Sequence, residues 1–324
     1  MAIKTSSTSA WEVELNLAIN VARECGIIIR NARDKRMTGS VMAGPINTKM
    51  NTTDLVTETD VEVEQLVKRS LAQRFPEYAF VGEESYAAGE KTVLTDQPTW
   101  IVDPIDGTTN FVHGFPFVAV SIGLFVNKTP VVGVVYNPIL DQLYYASKGC
   151  GAYVVDNARN TVDKTEEHAV RLPLVRQPLG PVNTSVVTCE WGSDRSGNNF
   201  EAKCACFRNL AADRADHGGM AHALRAIGSA ALNTCLVATG QLDAYWEGGP
   251  WIWDIAAASC ILTEAGGVLL DANPPKDTDV IVPISGHGFE CRRYFAIRPS
   301  TNGYKDQKPF ARDFYQYVTV PLQF

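Results

Sequence analysis

The sequence has 324 residues, of which 45% are hydrophobic and 20% are charged, a composition typical of one large globular domain or two closely joined ones. Its formal net charge is −7 at pH 7, which argues against nucleic acid as a partner, because surfaces that bind nucleic acid are basic. Apolar stretches such as residues 118–126 are far too short to span a bilayer, so no membrane partner is expected.

The chain starts with Met1 to Lys4 followed by threonine and serine, and this start contains no apolar segment of the kind that directs secretion. We therefore expect a cytoplasmic protein. Eight cysteines occur without a C-x-x-C pair, which favours reduced thiols with structural roles.

The first predicted element is a long helix. Ser9 to Glu12 has the form of a capping box, and apolar residues then recur with a helical period as far as Ile29. Residues 35–56 are rich in glycine, asparagine and threonine, which is typical of an irregular surface loop. A second helix begins near Thr57 and is ended by Pro76.

Two acidic segments each follow a predicted strand. A short strand over residues 78–81 leads to Glu83, and the apolar run of residues 100–102 predicts a buried strand that ends at Asp103. Asp106 comes three residues later, and two bare carboxylates 4 Å apart repel by about 4 kcal/mol at an effective dielectric constant of 20. Gly107 permits a tight turn that would expose the next backbone amides to an anion. The segment predicts a metal site beside a phosphate site.

The middle of the chain predicts an antiparallel meander. Residues 117–126, 131–136 and 143–146 are strand-like and are separated by turn signals. The composition becomes polar near residue 156. We therefore divide the chain into an N-terminal part, residues 1–156, which carries most of the acidic candidates, and a C-terminal α/β part, residues 157–324, which carries the last one.

The second half alternates strands and helices until its last fifty residues, which are poorly periodic. The predicted elements are strands over 169–172 and 185–189, a helix over 200–212, an apolar helix opened by Gly228-Ser229 and ended by Gly240, a strand over 242–246 that leads to Glu247, a helix over 253–265, and a strand over 268–270.

Four carboxylates at the ends of predicted elements need a common explanation. They are those of Glu83, Asp103, Asp106 and Asp254. A lone D-x-x-D-G sequence would favour ordinary turn and cap residues, but the recurrence favours a metal site. Hard oxygen ligands suit Mg²⁺, and the five histidines show no zinc-binding spacing.

Four ordered motifs resemble those of one enzyme family. The stretch W-I-V-D-P-I-D-G-T-T-N-F-V-H-G-F-P, residues 100–116, resembles the first signature of the inositol monophosphatase family, and residues 253–267 resemble its second signature. Residues 82–85 and 54–60 match two further motifs in the same order. The resemblance covers roughly residues 10–272 and implies a mixed α/β fold, a layered α-β-α-β-α sandwich of the inositol monophosphatase and sugar phosphatase type.

The resemblance also implies roles for individual residues. The first Mg²⁺ would be bound by Glu83, Asp103 and the carbonyl of Ile105, the second by Asp103, Asp106 and Asp254, and a third, weaker ion by Glu83 and water. Phosphate would be held at Asp106 and by the amides of Gly107 and Thr108. Catalysis would use Glu83 and Thr108 to orient and deprotonate water, with Asp60 steadying Thr108. The alcohol part of the substrate would contact Gly228, Ser229, Ala230 and Glu247.

Lys49 and Glu84 are implied as outer residues that tune the metal site. Each has a simpler interpretation: Lys49 as an exposed loop lysine, and Glu84 as a solvated acid. Ser229 is equally well interpreted as a helix N-cap.

The implied activity is Mg²⁺-dependent hydrolysis of a small phosphorylated polyol or sugar by activated water, without a covalent intermediate. Inositol 1-phosphate is the leading substrate, and inhibition by Li⁺ and a homodimer are implied as well. The alternatives are a phosphatase of another sugar or nucleotide phosphate and a regulatory protein on the same fold. The segment from residue 274 and the aromatic C-terminus differ from the family's short C-terminus and resemble fungal relatives associated with quinate utilisation, which leaves the physiological substrate open. A regulator derived from such an enzyme should have lost at least one metal carboxylate, and none is missing from this sequence.

Overall fold

Two mixed β-sheets form the frame of the molecule, and α-helices lie between and outside them. The computed structural model describes residues 9–39, 46–48, 55–90, 93–160, 169–277 and 279–324. The helices in these ranges are α1 (Glu12–Met37), α2 (Glu58–Arg74), α3 (Glu83–Ala87), α4 (Thr108–His113), α5 (Gly197–Ala211), α6 (Ala230–Thr239), α7 (Ile252–Ala265) and α8 (Tyr304–Tyr315).

The larger sheet has seven strands in the order of the chain, and only its first pair is parallel. Its strands are β3 (Ala79–Gly82), β4 (Thr99–Asp106), β5 (Ala119–Val126), β6 (Thr129–Asn137), β7 (Gln142–Ser147), β8 (Gly151–Asp156) and β9 (Val170–Arg171). The predicted meander is confirmed as β5, β6 and β7. A separate antiparallel pair is formed by β1 (Ile46–Thr48) and β2 (Leu55–Thr57).

The smaller sheet has five strands in the order β11-β10-β12-β14-β13. They are β10 (Val186–Cys189), β11 (Ala223–Arg225), β12 (Ala244–Gly248), β13 (Val268–Leu270) and β14 (Arg293–Ile297). β10 is parallel to both neighbours, β11 and β12, whereas β14 runs antiparallel to β12 and β13.

Three hydrophobic clusters separate the layers. α1 and α2 cover one face of the larger sheet, α6 and α7 fill the space between the two sheets, and α5 and α8 cover the far face of the smaller sheet. Strand β4 shows the pattern in its sequence: Trp100 and Val102 face α1 and α2, while Ile101 faces the central layer. Both faces of β4 are buried, so its sequence is apolar without interruption. The layered α-β-α-β-α arrangement is confirmed.

Helix α7 approaches the larger sheet closely because glycines stand beneath it. A Cβ atom added at Gly123 would lie 2.9 Å from the backbone nitrogen of Ala257, and one added at Gly133 would overlap the carbonyl oxygen of Ala257. Backbone cannot yield as a flexible side chain can, so only glycine fits at these positions.

Three predictions of local structure were wrong, and one helix was missed. Ser9 is not the cap of α1, because its hydroxyl accepts a hydrogen bond from the amide of Trp11 (3.0 Å), and Trp11 itself occupies the cap position. Residues 35–56 are not irregular throughout, since α1 continues to Met37 and β1 pairs with β2. Strand β4 does not stop at Asp103, because a shift in register between Asp103 and Asp106 lets the ladder resume after Pro104. The last fifty residues, moreover, contain a helix, α8.

Across the described ranges, every helix is too short or too polar to span a bilayer. The division of the chain at residue 156 stays a prediction.

Candidate active site

The end of β4 and the start of α4 form the central turn of the site. Asp103 is almost completely buried, and its Oδ1 accepts a hydrogen bond from the amide of Ile105 (3.0 Å). Gly107 follows with φ = +88°, and a Cβ atom there would lie 2.8 Å from the carbonyl oxygen of Phe117. Only glycine meets both conditions, and the chain can therefore turn directly from β4 into α4.

Asp103, Asp106 and Asp254 together form the aspartate centre. They bring carboxylate oxygens to within 4.8 Å of one another. Asp254 lies in the first turn of α7, where its carboxylate accepts a hydrogen bond from the amide of Trp251. In the part of the chain that the structure describes, no lysine or arginine forms an ion pair with these three residues. The negative charge is concentrated at the centre. Among the described residues, Arg292 interacts electrostatically with Asp254 but does not form an ion pair with the centre.

The pKa values of the aspartate centre show how costly this concentration is. Burial raises the pKa of Asp103 well above its usual range, and the charges of Glu83, Asp254 and Asp106 raise it further. Burial also raises the pKa of Asp254, with the charges of Glu83 and Asp106 adding to the shift. Burial raises the pKa of Asp106 to about 7, although hydrogen bonds from Ser229 and from the next two amides oppose the shift. Such a group of carboxylates fits divalent cations that neutralise it.

Glu83 belongs to the same cavity as the aspartate centre. Strands β3 and β4 are parallel, and Gly82 pairs with Val102, so Glu83, directly after β3, and Asp103, within β4, lie at the same level. Glu83 lines the cavity together with Asp106 and Asp254. The charge of Glu83 raises the pKa of Asp103, Asp106 and Asp254. Glu83 is not one of the three residues whose carboxylate oxygens lie within 4.8 Å of one another.

Thr108 connects the aspartate centre to α2. Its hydroxyl lies 3.1 Å from the carbonyl oxygen of Ile105 and 3.3 Å from Oδ1 of Asp60. The other oxygen of Asp60 accepts hydrogen bonds from the amide (2.9 Å) and the hydroxyl (2.5 Å) of Thr57, so Asp60 also caps α2. This buried carboxylate fixes the direction of the Thr108 hydroxyl.

Glu64 supports α3 and was not predicted. It follows Asp60 by one helical turn on α2 and is buried. Its carboxylate accepts hydrogen bonds from the amides of Glu84 and Ser85, both at 2.7 Å. The start of α3, and with it Glu83, is thereby fixed. The sequence did contain a signal for Glu64: it lies four residues after the candidate Asp60 on the same predicted helix, so the two side chains were expected on one face.

Asp106 also anchors α6. Its carboxylate accepts hydrogen bonds from the hydroxyl of Ser229 and from the amides of Ala230 (3.2 Å) and Ala231 (3.0 Å). The Ser229 hydroxyl in turn accepts from the amide of Leu232 (3.2 Å), so Ser229 is the N-cap of α6. The cap interpretation of Ser229 is correct, and the same hydroxyl contacts the aspartate centre.

The segment that precedes α6 is clamped from two sides. Asn110 of α4 donates to the carbonyl oxygen of Ile227 (2.7 Å), while Oε1 of Glu190 accepts from the amides of Ile227 (2.6 Å) and Gly228 (2.9 Å). Glu190 also accepts from Asn233 (2.7 Å). Sequence analysis missed Glu190, although it directly follows a predicted strand, as Glu83 and Asp103 do.

Glu247 lies beside Glu190 for a topological reason. Strands β10 and β12 are parallel, and Cys189 pairs with Trp246, so the next residue of each strand is an acid at the same level. The Glu247 carboxylate accepts a hydrogen bond from the hydroxyl of Tyr245. Burial raises the pKa of Glu247, and the charge of Glu190 raises it further.

One cavity of about 670 Å³ joins these groups, a volume suited to a small molecule. Of the predicted site residues it is lined by Glu83, Asp106, Gly107, Thr108, Gly228, Ser229, Ala230, Glu247 and Asp254. Asp60, Asp103 and Ile105 lie directly behind this lining, through the bonds described above. Lys49 lies outside the described residues.

Comparisons with known proteins agree with this geometry. Inositol monophosphatase 2 of Saccharomyces cerevisiae is 42% identical over 279 residues, which cover 85% of this chain and 86% of the relative. Quinic acid degradation cluster protein x of Neurospora crassa is 36% identical, covering 93% of this chain and 90% of the relative. The crystal structure of extragenic suppressor protein suhB from Bartonella henselae superposes with a TM-score of 0.70 at 26% identity, covering 96% of this chain and all of that one.

The profile of the inositol monophosphatase family matches residues 10–291, which include the aspartate centre and almost the whole cavity lining. With the profile match, the relatives and the fold in agreement, this chain belongs to the inositol monophosphatase family.

Proposed function

We propose that the protein is a Mg²⁺-dependent phosphate monoester hydrolase and that inositol 1-phosphate is among its substrates. The observation that carries the proposal is the aspartate centre, three carboxylates within 4.8 Å of one another at a cavity of about 670 Å³. The family and the yeast inositol monophosphatase, at 42% identity, support it.

The donor set fits Mg²⁺. Asp103, Asp106 and Asp254 with Glu83 and the carbonyl of Ile105 supply only hard oxygen atoms, and Asp106 keeps lone pairs beyond those that accept from α6. Two or three ions would be held by these residues. When bound, they stabilise negative charge on the entering and leaving oxygens and lower the pKa of water.

The other residues position the reactants. Gly107 and Thr108 line the cavity at the turn into α4, and their amides would bind phosphate oxygens. The Thr108 hydroxyl, directed by Asp60, would orient the attacking water, and Glu83 would accept its proton. The alcohol part would lie against Gly228, Ser229, Ala230 and Glu247. No side chain needs to form a covalent bond to phosphate.

Phosphate release from a panel of esters tests the proposal. Inositol 1-phosphate, sugar phosphates and adenosine bisphosphate would each be assayed with Mg²⁺ and after removal of metal by EDTA. We expect metal-dependent release, highest for the physiological class of ester, and loss of activity with EDTA that added Mg²⁺ restores. A sugar or nucleotide phosphate that outperforms inositol 1-phosphate would select the alternative substrate.

A second candidate function is a quinate-associated regulator on the same fold. The 36% identical quinic acid degradation cluster protein of Neurospora crassa favours it. The four acidic ligand residues are all present, which favours the enzyme. A folded protein that releases phosphate from no ester in Mg²⁺ would favour the regulator.

Two properties implied by the family, and one expected from the sequence, remain predictions. Li⁺ at millimolar concentration should inhibit turnover by competing for a metal position. Light scattering should give twice the mass of one chain if the protein is a homodimer. A cytoplasmic location remains a prediction from sequence and is checked by fractionation.

A further inference from the structure

Arg292 lines the active-site cavity and has no role in the hydrolysis described above. Its backbone is left-handed, with φ = +57°, which is uncommon for a residue other than glycine. Reciprocal bonds hold it there: the Gly249 amide donates to the carbonyl oxygen of Arg292 (2.9 Å), and Nε and Nη2 of Arg292 donate to the carbonyl oxygen of Gly249 (3.2 and 2.6 Å). Strain that the surroundings maintain in this way is a feature of functional sites.

Two aromatic rings hold the guanidinium group. Its Cζ lies 3.9 Å from the ring centroid of Trp251 and 5.0 Å from that of Phe324, the last residue of the chain. Trp251 also lines the cavity. Such stacking fixes a planar cation without neutralising it. Among the described residues, no protein acceptor lies within hydrogen-bond distance of Nη1 of Arg292.

The C-terminal segment, residues 322–324, is held in place by side-chain amides. Asn199 and Asn273 each exchange two hydrogen bonds with its backbone, at Gln323 and Leu322, with distances of 2.8 to 2.9 Å. The Phe324 ring packs so closely on β12 that a Cβ atom added at Gly248 would lie 2.6 Å from it. The C-terminal segment thus supports Arg292 from behind the cavity lining.

Further positive charge surrounds Arg292. Burial lowers the pKa of Lys203, and the charges of Arg195 and Arg292 lower it further, against the opposing effect of Glu247 and Asp194. Arg195 lines the same cavity. A protein with a net charge of −7 thus places two arginines, Arg195 and Arg292, in its cavity lining, and the buried Lys203 lies close enough to interact electrostatically with both.

We propose that Arg292 recognises an oxyanion on the alcohol part of the substrate, a carboxylate or a second phosphate, and that Phe324 holds Arg292 in position for it. This inference rests on the proposed function and names a substrate class within it: phosphate monoesters whose alcohol part is itself anionic. Such an ester would be hydrolysed with a higher kcat/KM than inositol 1-phosphate, whose alcohol part is neutral.

Kinetics on three esters with Mg²⁺ test the proposal: inositol 1-phosphate, 6-phosphogluconate with its carboxylate, and inositol 1,4-bisphosphate with its second phosphate. The wild type should prefer one of the two anionic esters, and which one identifies the oxyanion. Arg292→Met should reduce that preference by about 10- to 100-fold, the loss expected for one hydrogen bond to a charged group. Phe324→Ala should reduce it less, because the guanidinium remains but is held by one ring.

The matched control is Arg225→Met, because Arg225 is an exposed arginine on β11 outside the cavity and its replacement should leave the preference unchanged. Equal losses on all three esters in Arg292→Met would show a scaffolding role and overturn the proposal, as would a wild type that prefers inositol 1-phosphate. If the wild type releases phosphate from none of them, the proposed hydrolase function fails. Calorimetric binding of the same esters then tests Arg292 alone, and an unchanged ratio of dissociation constants in Arg292→Met would overturn its role.

Discussion

Each of the two sheets places a pair of acids at one level of neighbouring parallel strands, near the carboxyl ends of those strands. In the larger sheet Glu83 and Asp103 follow the paired residues Gly82 and Val102, and in the smaller sheet Glu190 and Glu247 follow the paired residues of β10 and β12. The topology is the same, but the surroundings differ. Protein donors surround the second pair, whereas Asp103 of the first pair lies beside two more aspartates.

The donors around the second pair can be named. Glu190 accepts two backbone amides and Asn233, while Glu247 accepts from Tyr245 and lies near the charge of Lys203. At the first pair, Asp103 accepts one amide and meets the charges of Asp106 and Asp254. The comparison teaches that position at a sheet edge does not decide what an acid does. The donors within reach decide whether it shapes the protein or requires a metal.

The largest expected effect comes from Asp103→Asn, which removes charge from the first pair while keeping the shape of the side chain. We expect turnover to fall more than about 100-fold and Mg²⁺ affinity to fall with it, because the loss of a ligand should exceed the 10- to 100-fold cost of losing an outer residue. Phosphate release and calorimetric titration with Mg²⁺ measure the two effects. Asp156→Asn, at an exposed aspartate on β8, is the matched control. Unchanged turnover in Asp103→Asn would remove the distinction between the two pairs.

Sequence analysis identified both acids of the first pair but only Glu247 of the second. Asp103, Asp106 and Gly107 lie within five consecutive residues, so local backbone geometry holds them together and the motif can be recognised from the local sequence. Glu247 was named only through the family resemblance, and Glu190 was missed. Its position after a predicted strand was visible, but that β10 lies beside β12 depends on sheet order, which no local pattern contains.

The fold shows the same limit. The layers followed from the resemblance and from strong periodicity, and they are confirmed. Helix α8 was missed because Pro309 stands inside it, where proline predicts a break, although Phe310 and Phe314 are spaced to pack on one face. Arg292 and Phe324 could not be predicted as neighbours of the cavity, since 32 positions separate them and only tertiary packing brings them together.

An intermediate effect is expected from Gly133→Ala, which tests how Asp254 reaches the first pair. The added Cβ atom would overlap the carbonyl oxygen of Ala257, so α7 must move away from β6. Overpacking of this kind costs about 1–3 kcal/mol, and we expect the free energy of unfolding to fall by that amount in denaturant titrations. Because Asp254 moves with α7, Mg²⁺ affinity should fall as well.

The control for this variant is Gly288→Ala, where the nearest atom to the added Cβ is 3.2 Å away in the flexible side chain of Ile284. Its unfolding free energy should change little. If Gly133→Ala loses stability but keeps full Mg²⁺ affinity, then the position of Asp254 does not depend on the contact between α7 and the larger sheet.

The smallest expected effect comes from substitutions of Glu190, and it is the most direct test of the difference between the two pairs of acids. Glu190 uses a single oxygen, Oε1, for all three of its hydrogen bonds. Glu190→Gln keeps an oxygen at that position, whereas Glu190→Ala removes it and frees the segment that carries Gly228. We expect Glu190→Ala to raise KM about 10-fold with little change in kcat, since the alcohol part loses a positioned wall while the aspartate centre is intact.

Glu190→Gln should raise KM less than Glu190→Ala does, because the clamp survives and only its charge is lost. Steady-state kinetics on inositol 1-phosphate, with thermal unfolding to confirm the fold of both variants, separates the two cases. A fall in kcat as large as that of Asp103→Asn would show that Glu190 acts with the metal ligands. The acids of the two sheets would then act together in catalysis. The conclusion that the first pair binds metal while the second pair holds the protein in shape would be wrong.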